Sequence, residues 1–219
     1  LSGEECYPAV VTLGNTIKAI EQGLPPEKIA LFMPTAEGPC RFGQYAGFIR
    51  KALKQIGFDE VYVLSPSSSD SYQGVAEHST ELVKGGWLAI VSSDLLEKMR
   101  LKTRPYEINK GEADTVFEEC VEELSRAMEK TENRLDNTIE ALKYARERFK
   151  EIPVRDENRP LIGIVGEIFC RLNNYSNDDI IRRIEENGGE AWQSDITEWI
   201  WYTLSEQKLW QRIRDEGSI

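Results

Sequence analysis

The sequence predicts an α/β protein: two Rossmann-like parallel-sheet lobes with an added helical segment. Three observations carry that expectation. Short apolar runs alternate with amphipathic helical stretches, as in parallel strands joined by helices. Two stretches, "IALFMPTAEGPCRFGQY" and "LIGIVGEIFCRL", each lead from an apolar run through glycine to Cys-Arg, and a helix with an Ile-Arg-basic core ("FIRK", "IIRR") follows. Each of these then meets a glycine and a second apolar run, a loose internal repeat.

Taken in order, residues 8–22 form a helix with Pro8 in its first turn. "GLPPEK" is a turn, and the continuous apolar run 29–33 reads as a buried strand. Residues 45–56 form an amphipathic helix with Phe48, Ile49, Ala52, Leu53 and Ile56 on one stripe, and Gly57 stops it. The next strand is 61–65, followed by the polar loop "PSSSDSYQG". From 75 to 101, Leu82, Val83, Trp87, Ile90, Val91, Leu95 and Met99 recur at helical spacing. Gly85-Gly86 weakens that helix by about 1 kcal/mol per residue.

A long helical pattern covers 112–150, with Val116, Phe117, Cys120, Leu124, Met128, Leu135, Ile139, Leu142 and Phe149 on its apolar stripe and a break expected near "KTEN". "IPVRDENRP" reads as the linker. A strand at 161–165, a helix at 177–187, Gly188-Gly189, a strand at 190–193 and a Trp-rich helix complete the chain. The expected domains are therefore 1–152, a first lobe extended by helices over about 75–150, and 153–219, the start of a second, truncated lobe.

Composition narrows the function. The chain has 219 residues, 40% hydrophobic and 30% charged, long enough for one large domain or two small ones. A net charge of −11 argues against nucleic acid and against anionic membrane. No apolar run reaches the roughly 18 residues of a membrane span. No signal peptide is visible, and the chain opens "LSGEECYP" without methionine. A cytoplasmic protein is expected, with this sequence trimmed from a longer one.

Cys6, Cys40, Cys120 and Cys170 are widely spaced, with no CxxC pair. In a chain able to bury a sizeable core, thiol chemistry or metal binding is expected over disulfides. Ligands of doubly wound sheets bind beyond the carboxyl ends of the strands, where Cys40 and Cys170 are expected. Cys6, Cys40 and Cys170 each precede an expected helix start, where unpaired N–H groups and the helix dipole favour thiolates and the anionic species they hold. An iron–sulfur cluster is one such species. Structural zinc prefers closer ligand pairs. The plain alternative is that a lone cysteine is a small buried hydrophobe, and Cys120, inside an apolar stripe, is assigned to the core. Arg41 and Arg171 suit a cluster or substrate anion, or simply a surface ion pair. His78, the sole histidine, rules out a multi-His metal site. Signatures for nucleotide phosphates, serine nucleophiles and zinc hydrolases are absent. The aromatic stretch "EWIWYT" reads as a packing face.

Five blocks, "GEECYPA", "FMPTAEGPCRFGQY", "LKTRPYEINKGEAD", "GEIFCRLNNYSNDDIIRRIEENGGE" and "EWIWYT", resemble the dehydratase-like portion of the large acyl-CoA dehydratase activase-related proteins. That family is related to 2-hydroxyacyl-CoA dehydratase subunits and double-cubane cluster proteins of anaerobes, and the resemblance runs from about residue 3 to 205. It implies Rossmann-like lobes around an oxygen-sensitive 4Fe-4S or double-cubane iron–sulfur cluster. It also implies an actin-like-fold ATPase activase as partner, either separate or fused, that drives low-potential electrons onto the cluster. In the dehydratases the reduced cluster forms a ketyl radical that eliminates water from an acyl-CoA substrate. Carried over by motif, Cys6 and Cys40 are the leading metal ligands and Cys170 a weaker third, with Gly38, Arg41, Glu167 and Arg171 in the substrate or cluster environment. The family continues past Ile219 into further cysteines, so a cluster needing those ligands is not expected to assemble fully on this chain. A second reading is a non-redox α/β module binding an anionic small molecule such as an acyl-CoA, with structural cysteines. A third, an interaction scaffold on the charged helix 112–150, yields to the simpler account of a solvated cover.

Overall fold

The structure, a computed structural model, describes residues 5–36, 40–67 and 80–215. It is a predominantly helical α/β arrangement with two small parallel sheets of two strands each. The chain divides into two compact units, Leu1–Val83 and Lys84–Ile219.

In the first unit, α1 (Tyr7–Ile20) starts with Pro8 in its opening turn, where a missing N–H leaves no broken bond. β1 (Ala30–Phe32), a 3₁₀ turn (Arg41–Gln44), α2 (Tyr45–Gln55) and β2 (Tyr62–Leu64) follow. Gly57, at φ 86°, ends α2 in the left-handed conformation that glycine adopts without a Cβ clash. β1 and β2 run parallel, with Ala30 opposite Tyr62 and Phe32 opposite Leu64. Leu13 and Ile20 from α1 meet Ala46, Ile49 and Leu53 from α2 over Val61 and Val63. The apolar run 29–33 is not the buried strand expected from sequence. Ala30 and Phe32 are exposed, because two strands with helices on one side leave the other face of the sheet uncovered.

In the second unit, α3 (Thr80–Thr103, beginning just before the boundary), α4 (Glu112–Glu129) and α5 (Arg134–Glu151) precede β3 (Leu161–Ile164). Three short helices, α6 (Ile168–Leu172), α7 (Asn174–Asn177) and α8 (Ile180–Glu186), lead to β4 (Glu190–Gln193) and α9 (Ile196–Asp215). β3 and β4 are again parallel, Leu161 opposite Glu190. The break near "KTEN" is present, with Asn133 at φ 51°. α3 runs unbroken through Gly85-Gly86. Bulk is limited at Gly85, where a Cβ would stand 3.3 Å from the Arg134 guanidinium.

Two apolar stripes are placed differently from the sequence expectation. On α3 the buried side chains are Ser92, Leu96 and Leu101, while Trp87, Val91 and Leu95 face solvent. α5 buries Thr138, Ala141, Ala145 and Phe149, leaving Leu135 and Ile139 exposed. Small residues win there because α4 and α5 pack closely around Cys120, Leu124 and Ala127. The aromatic stretch of α9 is likewise no buried face: Trp199, Trp201 and Tyr202 are all exposed.

Residues 152–160 lie inside the second unit and are fastened to it rather than hanging free. Ile108 N–H donates to the Pro153 carbonyl and Arg155 N–H to the Tyr106 carbonyl. Beside them, buried Arg104 donates through Nε and Nη2 to Glu185, both at 2.8 Å, and through Nη1 to Asp114 at 2.9 Å. Arg182 completes the network on Asp114. Burial disfavours the Asp114 carboxylate, but the hydrogen bonds from Arg182 and Arg104 outweigh it and hold its pKa below the ordinary value. Glu107, almost fully buried, accepts the Gly111 and Ala113 N–H groups at 2.8 Å each, so the "RPYEINKGEAD" block caps the start of α4.

Candidate functional site

Two thiols of the first unit each stand at the start of a helical segment. Cys6 is the N-cap of α1, in extended conformation, with Sγ 2.9 Å from the Tyr45 hydroxyl. Tyr45 is the first residue of α2, so this contact draws the amino ends of α1 and α2 together. Cys40 caps the 3₁₀ turn that feeds α2 and accepts the Phe42 N–H at 3.5 Å. Its side chain is exposed, whereas Cys6 is half-buried. Both therefore occupy the helix-start positions expected of them.

A cavity of roughly 290 Å³ opens beside Cys6, lined also by Arg41, Gln44, Tyr45 and Phe48. Arg41 thus shares a surface with a candidate ligand, as the reading of Cys-Arg requires. The Tyr45 ring is fixed edge-on against Phe42 with centroids 5.5 Å apart. Gly38 and His78 lie outside the described residues.

The second Cys-Arg is built differently. Cys170 lies inside a helix rather than at its start: it is the third residue of the five-residue α6, ahead of α7 and α8. The cap is Glu167, whose carboxylate accepts the Cys170 N–H at 2.8 Å. Glu167 therefore commits hydrogen-bonding capacity to the chain itself. Arg171 lies beyond the carboxyl end of β3, where its Nε is buried without a hydrogen-bond partner. Its side chain lines a crevice of roughly 350 Å³ with Gly166, Ser194, Glu198, Trp199 and Tyr202.

All four cysteines are free thiols. Cys120 sits in the α4–α5 core, and burial, reinforced by Glu119, pushes its thiol up to about 11; it is inert packing, as expected. Among the described residues, no three or more histidine, cysteine or acidic side chains come together as a metal site. The first unit accordingly carries two thiols at helix starts, Cys6 and Cys40, and no third ligand beside them among the described residues.

The residue missed in sequence is Tyr45. Nothing in "GQYAGF" marks its hydroxyl as a partner for a thiol 39 positions earlier. No family model, curated protein or solved structure matches the chain, so the resemblance rests on its sequence blocks alone.

Proposed function

We propose that this chain is the iron–sulfur component of a 2-hydroxyacyl-CoA dehydratase-like or ATP-dependent reductase system. It receives low-potential electrons from an actin-like-fold ATPase activase. The observation that carries the reading is the placement of each thiol at a helix start, Cys6 as the cap of α1 against Tyr45 of α2 and Cys40 as the cap of the turn that feeds α2. Helix amino ends offer N–H groups and positive partial charge to a bound anion, and thiolate-held clusters are anionic. Cys6 and Cys40 hold the cluster, and the Tyr45 hydroxyl bonds to the Cys6 sulfur and tunes it. Arg41, on the same cavity, orients an anionic substrate such as an acyl-CoA. A 4Fe-4S or double-cubane cluster would supply single electrons at low potential. On this reading the two parallel strand pairs begin two Rossmann-like lobes, the protein is cytoplasmic, and ligands beyond Cys6, Cys40 and the weaker candidate Cys170 come from outside the described residues. Consistent with that location, no described helix is long and apolar enough to cross a membrane.

Iron and acid-labile sulfide per chain, after reconstitution without oxygen, test the proposal. Wild type is expected to bind iron and the Cys6→Ser/Cys40→Ser double variant to lose it. Cys170→Ser, tested separately, asks whether the weaker third ligand contributes. Iron retained by the double variant would overturn the assignment. Iron-free wild type that binds anions equally well after both serine replacements would favour the non-redox module, with Arg41 as its anion contact.

A further inference from the structure

We propose that the crevice at the carboxyl ends of β3 and β4 binds a small zwitterion, an amino-acid-like molecule carrying a carboxylate and an ammonium on an apolar body. The site belongs wholly to the second unit and does not depend on an iron–sulfur cluster. Parallel strands leave a crevice where their carboxyl ends stop and the chain turns away. Here Gly166 follows β3 at φ 138°, a conformation that keeps a side chain out of the opening, and Ser194 follows β4.

The charges lining this crevice are arranged in an unusual way. Arg171 Nε is shielded from water yet has no hydrogen-bond partner among the described residues, which costs free energy until an acceptor arrives. A carboxylate is the acceptor that matches a guanidinium edge, taking two parallel N–H bonds. Glu198 lines the same crevice and forms no ion pair among the described residues. Asp195, the other carboxylate there, is already held by Lys98. An arginine whose Nε lacks a partner among the described residues and an exposed carboxylate therefore line one cavity without pairing with each other. A ligand bearing one charge would satisfy only one of them; a zwitterion satisfies both. Trp199 and Tyr202, one helical turn apart on α9, supply an aromatic wall for the apolar body, and roughly 350 Å³ suits a molecule of that size. Glu198 also stands in the first turn of α9, where a carboxylate steadies the helix dipole. That role does not account for the buried Nε of Arg171.

The test uses iron-free protein and three probes of one shape: L-phenylalanine, hydrocinnamate (which lacks the amine) and phenethylamine (which lacks the carboxylate). Titration calorimetry and ligand-observed NMR read the binding. Wild type is expected to prefer phenylalanine. R171Q weakens phenylalanine and hydrocinnamate by about ten- to hundredfold. E198Q lowers phenylalanine to the hydrocinnamate level. If R171Q fails to fold, R171K keeps the charge but loses the planar fork, and weakens both acids by about tenfold. Wild type that binds none of the probes overturns the proposal. So does hydrocinnamate binding as tightly as phenylalanine, or binding unchanged in both Arg171 variants. Because no iron is present, these outcomes are independent of the cluster assignment.

Discussion

The two Cys-Arg junctions share a sequence pattern but not a local structure. In the first unit Cys40 is the cap, and its sulfur accepts an N–H two residues on. In the second, Glu167 is the cap and Cys170 is carried inside the turn. A carboxylate three residues ahead of the cysteine makes the difference, since it is the better acceptor for an open helix start. The surroundings diverge as well. An apolar core of aliphatic side chains holds the first unit, whereas the second adds a buried ionic network about Arg104. One dipeptide thus caps with its own sulfur in one setting and gives its backbone N–H to a carboxylate cap in the other.

The largest effect expected from breaking this contrast is at Arg104. Replacing it with alanine strands Glu185, which is 8% exposed, leaves Asp114 to Arg182, and is expected to cost about 3–5 kcal/mol in urea unfolding of the second unit. The counterpart in the first unit is Ile49→Ala, which opens a cavity and costs about 2–5 kcal/mol by the same measurement, with no ionic contribution. Glu107→Ala frees two N–H groups at the start of α4 and is expected to cost about 1–3 kcal/mol, read as lowered thermal stability of the second unit.

Smaller still is the acid dependence of the α4–α5 surface. Hydrogen bonds from Arg148 and then Tyr144 hold Glu119 at about 2, against an ordinary 4.5. A lowered folded pKa gives stability that is complete above pH 4.5 and disappears as the pH falls toward 2. Melting curves across that window should flatten in Glu119→Gln, and an unchanged acid slope would remove Glu119 from the account. Cys120 has the opposite sign: its raised pKa gives stability present below pH 9 and lost as pH rises toward 11, a dependence that Cys120→Ala should abolish.

Much of this architecture was legible from local pattern. The strand–Cys-Arg–helix–glycine–strand order of both repeats, the break near "KTEN" and the burial of Cys120 all follow from periodicity and turn residues, which act over a few positions. Cys6 and Cys40 were legible as caps because a helix start is also a local event. The stripe on α5 was not: Leu135 and Ile139 are more apolar than Ala141 and Ala145, and only the close approach of α4 decides that the smaller pair goes inside. Arg171 was named from its motif, but its unpartnered Nε and the crevice it shares with Glu198 depend on β4 and α9 arriving beside it.

By itself, then, the sequence determined the order of the main strands and helices and the helix-start positions of Cys6 and Cys40, because those depend on neighbours along the chain. Tertiary structure alone decided that Tyr45 meets Cys6, that Arg104 is buried against Glu185, and that Arg171 Nε lacks a partner among the described residues. Each of these joins or separates groups tens of residues apart, and hydrogen bonding and desolvation are settled by what surrounds a side chain in space.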